Sequence, residues 1–370
     1  MSIIKMNSEQ KLIRGEIRKF ATAELDPIAA DIEKDCRIPP EIVKKISQMG
    51  LFGFTVPEQY GGSGLNVTTL CVALEELSKS CASLALMVAV NNCFVVRSIS
   101  EFGSPQIKDK YLKRISNGSI GGYVPHTETE IAGQEFKIES DGGETFLSGR
   151  SDIALNSAAA DFFVIPALHG QGVALYIVDK SESFMNSYSI RTMGMCGAGV
   201  TGVESKRAKL KEEDRLVEEA KGREAVQFLD DHARISFSSI ALGLNEAALD
   251  ASIKYSKERK QFGRAICEFP MVRDMLSEIK VSVERSRLLV YEAASRTDEN
   301  EDYSQIARMA CLTSCEGAVF SALKAIQIHG GYGYTRDYPV ERHFRDAKTL
   351  QVLGGRPVDL KSKIAEEILS

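Results

Sequence analysis

The chain has 370 residues, 44% hydrophobic and 26% charged, with only 10 prolines, a length that suits two or three cores rather than one small one. A net charge of −5 spread along the chain excludes the basic face of a nucleic-acid binder and the cationic surface that seeks anionic membranes. MSIIKMNSEQ lacks the ~7–15-residue apolar core of a signal peptide, no run approaches the roughly 18–20 apolar residues of a membrane span, and the eight cysteines form no CxxC pair, so the chain reads as soluble and cytoplasmic with reduced thiols.

The first stretch, 1–119, reads as a helical domain. In EQKLIRGEIRKFATAEL, Leu12, Ile13, Ile17, Phe20 and Ala21 recur at helical spacing. PPEIVKKISQMG opens on proline, carries Ile42, Val43, Ile46 and Met49 on one face, and stops at Gly50. VPEQYGGSG is a loop, and TTLCVALEELSKSCASLALMVAVNN reads as one long, nearly buried helix.

Between 120 and 222 the texture changes to short β-type runs, FLSGRSDIAL, DFFVIPAL, VALYIVD and SYSIRTMG, set apart by Gly, Asn and Ser. They suggest a small middle β domain, barrel or sheet. The charge-rich ESKRAKLKEEDRLVEEAKG reads as a solvated connection. From 223 to 370 three long amphipathic segments and a shorter terminal one suggest an antiparallel four-helix bundle. The fold class is α+β, in the order α, β, α.

Two motifs carry chemistry. In ERKQFGR (258–264) the cations Arg259 and Lys260 beside Phe262 suit a phosphate next to a stacked ring; a solvated helix end with an apolar anchor reads the same way. QIHGGYGY (327–334) ends a helix in two glycines that let backbone N–H groups approach a pyrophosphate; a plain helix C-cap is the blander alternative. No second histidine stands at metal-ligand spacing from His329, so no metal site is expected.

Together, ERKQFGR, a gap of some sixty residues and AIQIHGGYGYTRDYPVERHFRDAK resemble the C-terminal domain of the flavin-dependent acyl-CoA dehydrogenases. VPEQYGGSGL, the ALEEL helix, EFGSPQIKDKYL and the α–β–α order extend the resemblance over nearly the whole chain. It implies FAD between the β domain and the bundle, reaching a neighbouring subunit of a homodimer or homotetramer. It also implies an acyl thioester substrate, on coenzyme A or a carrier protein, with electron-transfer flavoprotein as an electron partner. Arg259, Gln261 and Phe262 match contacts to the cofactor's pyrophosphate and adenosine half. Gln327, Gly330 and Gly331 match glycine-turn contacts from the partner chain. Asp231 and Arg234, in LDDHARI, match the pair that holds the pantetheine and acyl region.

The departures are equally specific. HTETEIAGQE (126–135) stands where the family has a proline-containing flavin and ligand motif, leaving Thr127 and Thr129 for cofactor and Gln134 for substrate. Ile153 and Leu155 replace an aromatic residue and a threonine beside the flavin, and leucine has no hydroxyl to donate. In DAKTLQVLGGRPVDLK (346–361), Gly354 replaces the glutamate that removes the substrate α-proton, and Arg356 replaces a flavin-contacting threonine. The alternative base position, just before Arg234, is Ala233. Hence no catalytic residue is assigned. Asp230, Asp231, Glu128 and Glu130 are the carboxylates near enough to consider, and Asn91, Asn92 and Arg97 make the acyl-side helix polar, with Asn91 placed for substrate. Glutamate at 354 is expected to fit unless Gly354 holds a positive φ. Three readings stay open: desaturation with a relocated base; a reaction needing none, such as enoyl-thioester reduction or 1,4-type dehydrogenation of a cyclic substrate; and a non-catalytic subunit of a paralogue complex.

Overall fold

The structure, a computed structural model, describes residues 6–126, 135–181 and 183–369. Its first third is helical. Helix α1 (Ser8–Phe20) starts on Asn7, whose side chain accepts from the Gln10 amide while Gln10 returns the bond, a reciprocal cap. Then come α2 (Ala29–Asp35) and α3 (Pro40–Gln48), with Gly50 at φ +76° ending the latter. The expected single long helix is two, α4 (Val67–Ser80) and α5 (Ala82–Val90), because Cys81 turns extended (φ −147°, ψ 94°) between them. The second continues through a π-turn, 91–96, into α6 (Arg97–Phe102), and two short pieces follow, α7 (Pro105–Ile107) and α8 (Lys113–Ser116).

Two stretches, Ala82–Phe102 and Ser304–Tyr334, are long and apolar enough to cross a membrane, which corrects the reading that none comes close. The first is 94% buried inside the protein, so its apolarity is that of a core helix.

The middle region is one mixed sheet of β1 (Gly121–Tyr123), β2 (Phe136–Asp141), β3 (Glu144–Ala154), β4 (Phe162–His169), β5 (Gly172–Asp179), β6 (Phe184–Ser189), β7 (Thr201–Leu210) and β8 (Arg215–Val217). The order is β6-β7-β3-β2-β4-β5-β8, with β1 parallel to β4. The charged segment read as a connection supplies β7 and β8. Val203, Ser205, Ala208 and Leu210 of β7 are buried while Lys206, Arg207 and Lys209 face out. Its lysines hid a strand whose inner face is small.

The final third is built on α9 (Gly222–Glu258), an unbroken helix of 37 residues. A two-strand hairpin follows, β9 (Lys260–Gln261) and β10 (Arg264–Ala265), then α10 (Pro270–Asp298), α11 (Ser304–His329), α12 (Val340–Leu353) and α13 (Pro357–Leu369). Asp298, ending α10, caps α4 by accepting from the Val67 and Thr68 amides at 2.7 and 3.0 Å. About two turns along α4 from that cap lies an ion-pair hub. Glu75, fully buried, accepts from Arg287 at 2.7 Å and from the Tyr291 hydroxyl at 2.6 Å. Glu76 and Glu246 join it, matched by Arg14, Arg18, Lys79 and Arg287.

A buried ion pair is costly to break from one side. Arg287→Met is therefore expected to lower unfolding stability by about 3–5 kcal/mol, and adding Glu75→Gln to recover more than half of that, measured by chemical denaturation.

Candidate cofactor site

The two motifs singled out in the sequence meet. Arg259 leaves α9 in extended conformation and opens the β9–β10 hairpin. Phe262 and Gly263 form its tip with φ of +50° and +80°, both left-handed as a two-residue hairpin turn demands. That backbone holds Phe262 93% exposed. Opposite, α11 ends at His329, and Gly330 takes φ 60°, ψ −135°, a conformation open essentially to glycine alone. Between the hairpin and the glycine turn lies a cavity of about 450 Å³, lined among others by Tyr255, Arg259, Gln261, Gly330, Gly331 and Tyr332.

Among the described residues Arg259 has no ion-pair partner, and its guanidinium lies over the Tyr332 ring at 5.9 Å. A Cβ on Gly331 would meet nothing within 4 Å, so the turn presents open backbone. An unneutralised cation, bare backbone and exposed aromatic faces fit a phosphorylated aromatic ligand. Gln327 is exposed on the last turn of α11, just outside. The sequence divided these residues between a cofactor and a neighbour's cofactor; one chain carries Arg259, Gln261, Gly330 and Gly331 together around one cavity.

The other predicted residues gather at the far end of α9. Arg234 and Asp231 are buried and paired to each other. Asp231 also accepts from Arg308 at 2.9 Å and Gln227 at 2.9 Å, and Arg308 pairs with Glu367 of α13. The Arg234 Nε donates to the Gly354 carbonyl at 3.2 Å. Gly354 is right-handed (φ −76°, ψ −8°); Gly355 is the residue at φ +109°. The obstacle to a side chain at 354 is instead a thiol. A Cβ there would stand 2.5 Å from the Cys311 Sγ, which also bonds the Gly354 carbonyl at 3.5 Å and lies 3.9 Å from the Cys315 Sγ. The Cys315 thiol, with Arg234 nearby, shifts the Cys311 pKa downward.

Asn91 is not at a substrate surface. It is fully buried, donating to the Phe52 carbonyl at 2.7 Å and accepting from the Gly121 amide at 2.8 Å, and so ties the helical region to β1. Asn92 bonds the Leu51 and Val88 carbonyls similarly. Beside them Phe94 stacks on Tyr123 with centroids 4.0 Å apart and reaches Phe237 of α9 at 6.1 Å. All three rings are buried. Leu155 is buried, its backbone paired with that of Tyr123, while Ile153 stays 45% exposed. Arg356 is spent on Asp359, at 2.6 and 2.9 Å. Thr127, Glu128, Thr129, Glu130 and Gln134 lie outside the described residues.

Comparison with known proteins decides the family. Residues 220–369 match the model for the acyl-CoA dehydrogenase C-terminal domain and residues 7–119 the model for the N-terminal domain. The chain belongs to the acyl-CoA dehydrogenase family. It is 33% identical over 360 residues to a short-chain specific acyl-CoA dehydrogenase of Clostridium acetobutylicum, spanning 95% of each. It is 30% identical over 371 residues to a 3-(aryl)acrylate reductase of Clostridium sporogenes, spanning 98% of each. The solved butyryl-CoA dehydrogenase of Megasphaera elsdenii superposes with a TM-score of 0.95 at 28% identity, covering 99% of this chain and all of that one.

FAD is the cofactor of this family and of this chain, and the hairpin cavity has the donor set for its phosphates. Sequence reasoning missed Tyr255, Tyr332, Phe94, Phe237 and Cys311. Only the last left a trace, the i, i+4 pair in CLTSC, whose meaning depends on Gly354 lying beside it.

Two expectations follow. Gly354→Glu alone should lower stability by about 1–3 kcal/mol through overpacking, and Cys311→Ala added to it should restore the melting temperature. His232 is buried between Phe228 and Tyr303, and burial, then the Arg97 charge, push its pKa down to about 3. Its neutral form is therefore the folded one. The stability it allows is present above an unfolded pKa of about 6.5 and lost as pH falls toward 3. His232→Phe should flatten that loss by about 1.4 kcal/mol per pH unit, read from urea midpoints at pH 7, 5 and 4.

Proposed function

We propose that the chain works in FAD-dependent oxidoreduction of an acyl thioester, with the Arg259 cavity holding the ADP half of the cofactor. The unpaired Arg259, set over Tyr332 and facing the open Gly330–Gly331 backbone, is the observation that carries this reading. Arg259 would neutralise the pyrophosphate, Gln261 and Gln327 would supply hydrogen bonds at the rim, and Phe262 and Tyr332 would present faces to the adenine. When bound, FAD supplies the electron acceptor or donor for the substrate's Cα–Cβ bond.

This chain's contribution to moving the α-proton is narrow. Gly354 and Ala233 have no side chain able to hold it, and Asp231 is committed to Arg234 and Arg308. Asp230, one turn before Ala233 on the stripe that includes Phe237, is the half-buried carboxylate whose charge bears on the Tyr123 hydroxyl and Cys93. It is the remaining candidate for a relocated base among the described residues. The tight packing of Phe94, Tyr123 and Phe237 favours a second reading, a subunit that binds without abstracting the proton. Cytoplasmic location, an acyl-CoA or carrier-bound substrate, and electron-transfer flavoprotein as electron partner belong to the same proposal.

Because the reaction end and the Arg259 cavity lie at opposite ends of α9, the proposal also requires at least a dimer. Arg259→Ala should weaken FAD binding by roughly ten- to a hundredfold, the loss of a charge-assisted hydrogen bond worth about 1.5–3 kcal/mol, in a flavin fluorescence titration. Unchanged affinity would remove the cavity from the cofactor site.

A further inference from the structure

Two thiols outside the sites described so far meet where three parts of the chain touch. Cys36 closes α2, and Cys196 lies in the loop between β6 and β7. Both sulfurs donate to one oxygen, the Glu33 carbonyl, Cys36 at 3.6 Å and Cys196 at 3.2 Å. The Cys36 thiol is also a hydrogen-bond partner of the Cys196 thiol. Cys36 is exposed and Cys196 half-buried, so solvent reaches the pair. The backbone at Cys36 is left-handed, φ +48°, at a helix end where glycine is the usual occupant.

The loop that carries Cys196 is a wedge. On one side Gly197 packs on α2 so closely that a Cβ would stand 2.9 Å from the Ile32 Cγ2. On the other, a Cβ on Gly194 would stand 2.3 Å from the Arg345 carbonyl carbon of α12, and Arg345 donates to the Met193 carbonyl at 3.1 Å. Glu33 joins the two sides, its carboxylate accepting from the Cys196 thiol at 3.4 Å and pairing with Arg345. Cys311 and Cys315 make a useful contrast. Their sulfurs lie 3.9 Å apart, but both are buried and stand one turn apart on a single helix. A bond there would be shielded from oxidants and would join nothing that α11 does not already join.

We infer that Cys36 and Cys196 form a reversible disulfide, driven by low-molecular-weight disulfides such as oxidised glutathione, that staples the end of α2 to the β6–β7 loop. The exposed Cys36 thiolate attacks one sulfur of the small disulfide, forming a mixed disulfide and releasing the first small thiol. The Cys196 sulfur then attacks the Cys36 sulfur, its proton passes to the Glu33 carboxylate, and the second small thiol leaves. Two protein thiols are oxidised and one small disulfide is reduced, so the electrons balance. Burial, then the neighbouring Cys36 and Glu33, raise the Cys196 pKa, which makes Cys36 the attacking thiol and Cys196 the resolving one. In a reducing compartment such a bond is a transient, sensing one.

The full-length protein is equilibrated in glutathione buffers of rising disulfide-to-thiol ratio, quenched by alkylation and mapped by peptide mass. The main oxidised product should be a cross-linked peptide joining Cys36 to Cys196, two hydrogens lighter than its halves and cleaved by dithiothreitol. The apparent melting temperature should rise by roughly 3–6 °C on oxidation. Cys196→Ser should stop at a glutathione adduct on Cys36 with no such rise, and Cys36→Ser should give no cross-link. Full alkylation of both thiols in excess disulfide overturns the inference, as does a wild-type Cys36 adduct that never resolves, or a cross-link formed elsewhere instead. A Cys36–Cys196 link that leaves the melting temperature no higher than that of oxidised Cys196→Ser overturns the staple.

Discussion

The length of one helix governs the rest of this molecule. Thirty-seven residues without a break fix α9 at about 55 Å. α11 runs beside it from the Asp231–Arg308 pair to the Tyr255–His329 stack, and α4 and α10 cross its middle. Its first third meets α5, α6, the sheet and α12; its last turns meet the hairpin and the end of α11. No proline interrupts it, and its interior glycine, Gly243, is pressed against α4, where a Cβ would stand 2.0 Å from the Ser78 Oγ and 2.3 Å from the Glu75 carbonyl oxygen. The close approach that needs this glycine is also what seats the Glu75–Arg287 hub beside the helix. Rigidity here is a matter of packing and charge together.

The two ends lie about 38 Å apart along α9, far enough for substitutions at one to act independently of the other. Within an end the opposite holds. Cys311 and Gly354 compete for one volume, and Arg234 and Cys311 share the Gly354 carbonyl. A glutamate at 354 and a cysteine at 311 exclude one another sterically. The glycine at 354 is thus matched to the packing of α11 against α12.

Much of this was legible from local pattern. The glycine turn was readable because its chemistry is backbone chemistry, written in Gly330 and Gly331, whereas the two-residue strands of the β9–β10 hairpin were too short to show a pattern. The helices were readable from periodicity, except at Cys81, where two apolar helices meet without a glycine or proline to mark the break. Strand β7 was hidden because its outward positions are lysine and arginine and its inward ones include Ser205 and Ala208. Asn91 misled for a general reason. A buried amide in an apolar helix looks the same in sequence whether it meets a ligand or a backbone carbonyl, and only the carbonyl of Phe52 and the amide of Gly121 distinguish the two.

The Asn91 case also bears on how such a fold can keep its shape while its chemistry changes. Contacts between the sheet and the helical regions run through Asn91, Asn156 and Asp346, whose partners are mainly backbone groups. Backbone donors and acceptors do not change when neighbouring side chains do. The junction between sheet and helices is therefore insensitive to which side chains stand at 155 and 354. Asp346 is the tightest instance: it accepts from the Met195 amide at 2.6 Å, and burial lifts its pKa to about 6. A carboxylate kept at that desolvation cost, one turn before the Leu350–Gly354 end of α12, holds the loop after β6 against that helix.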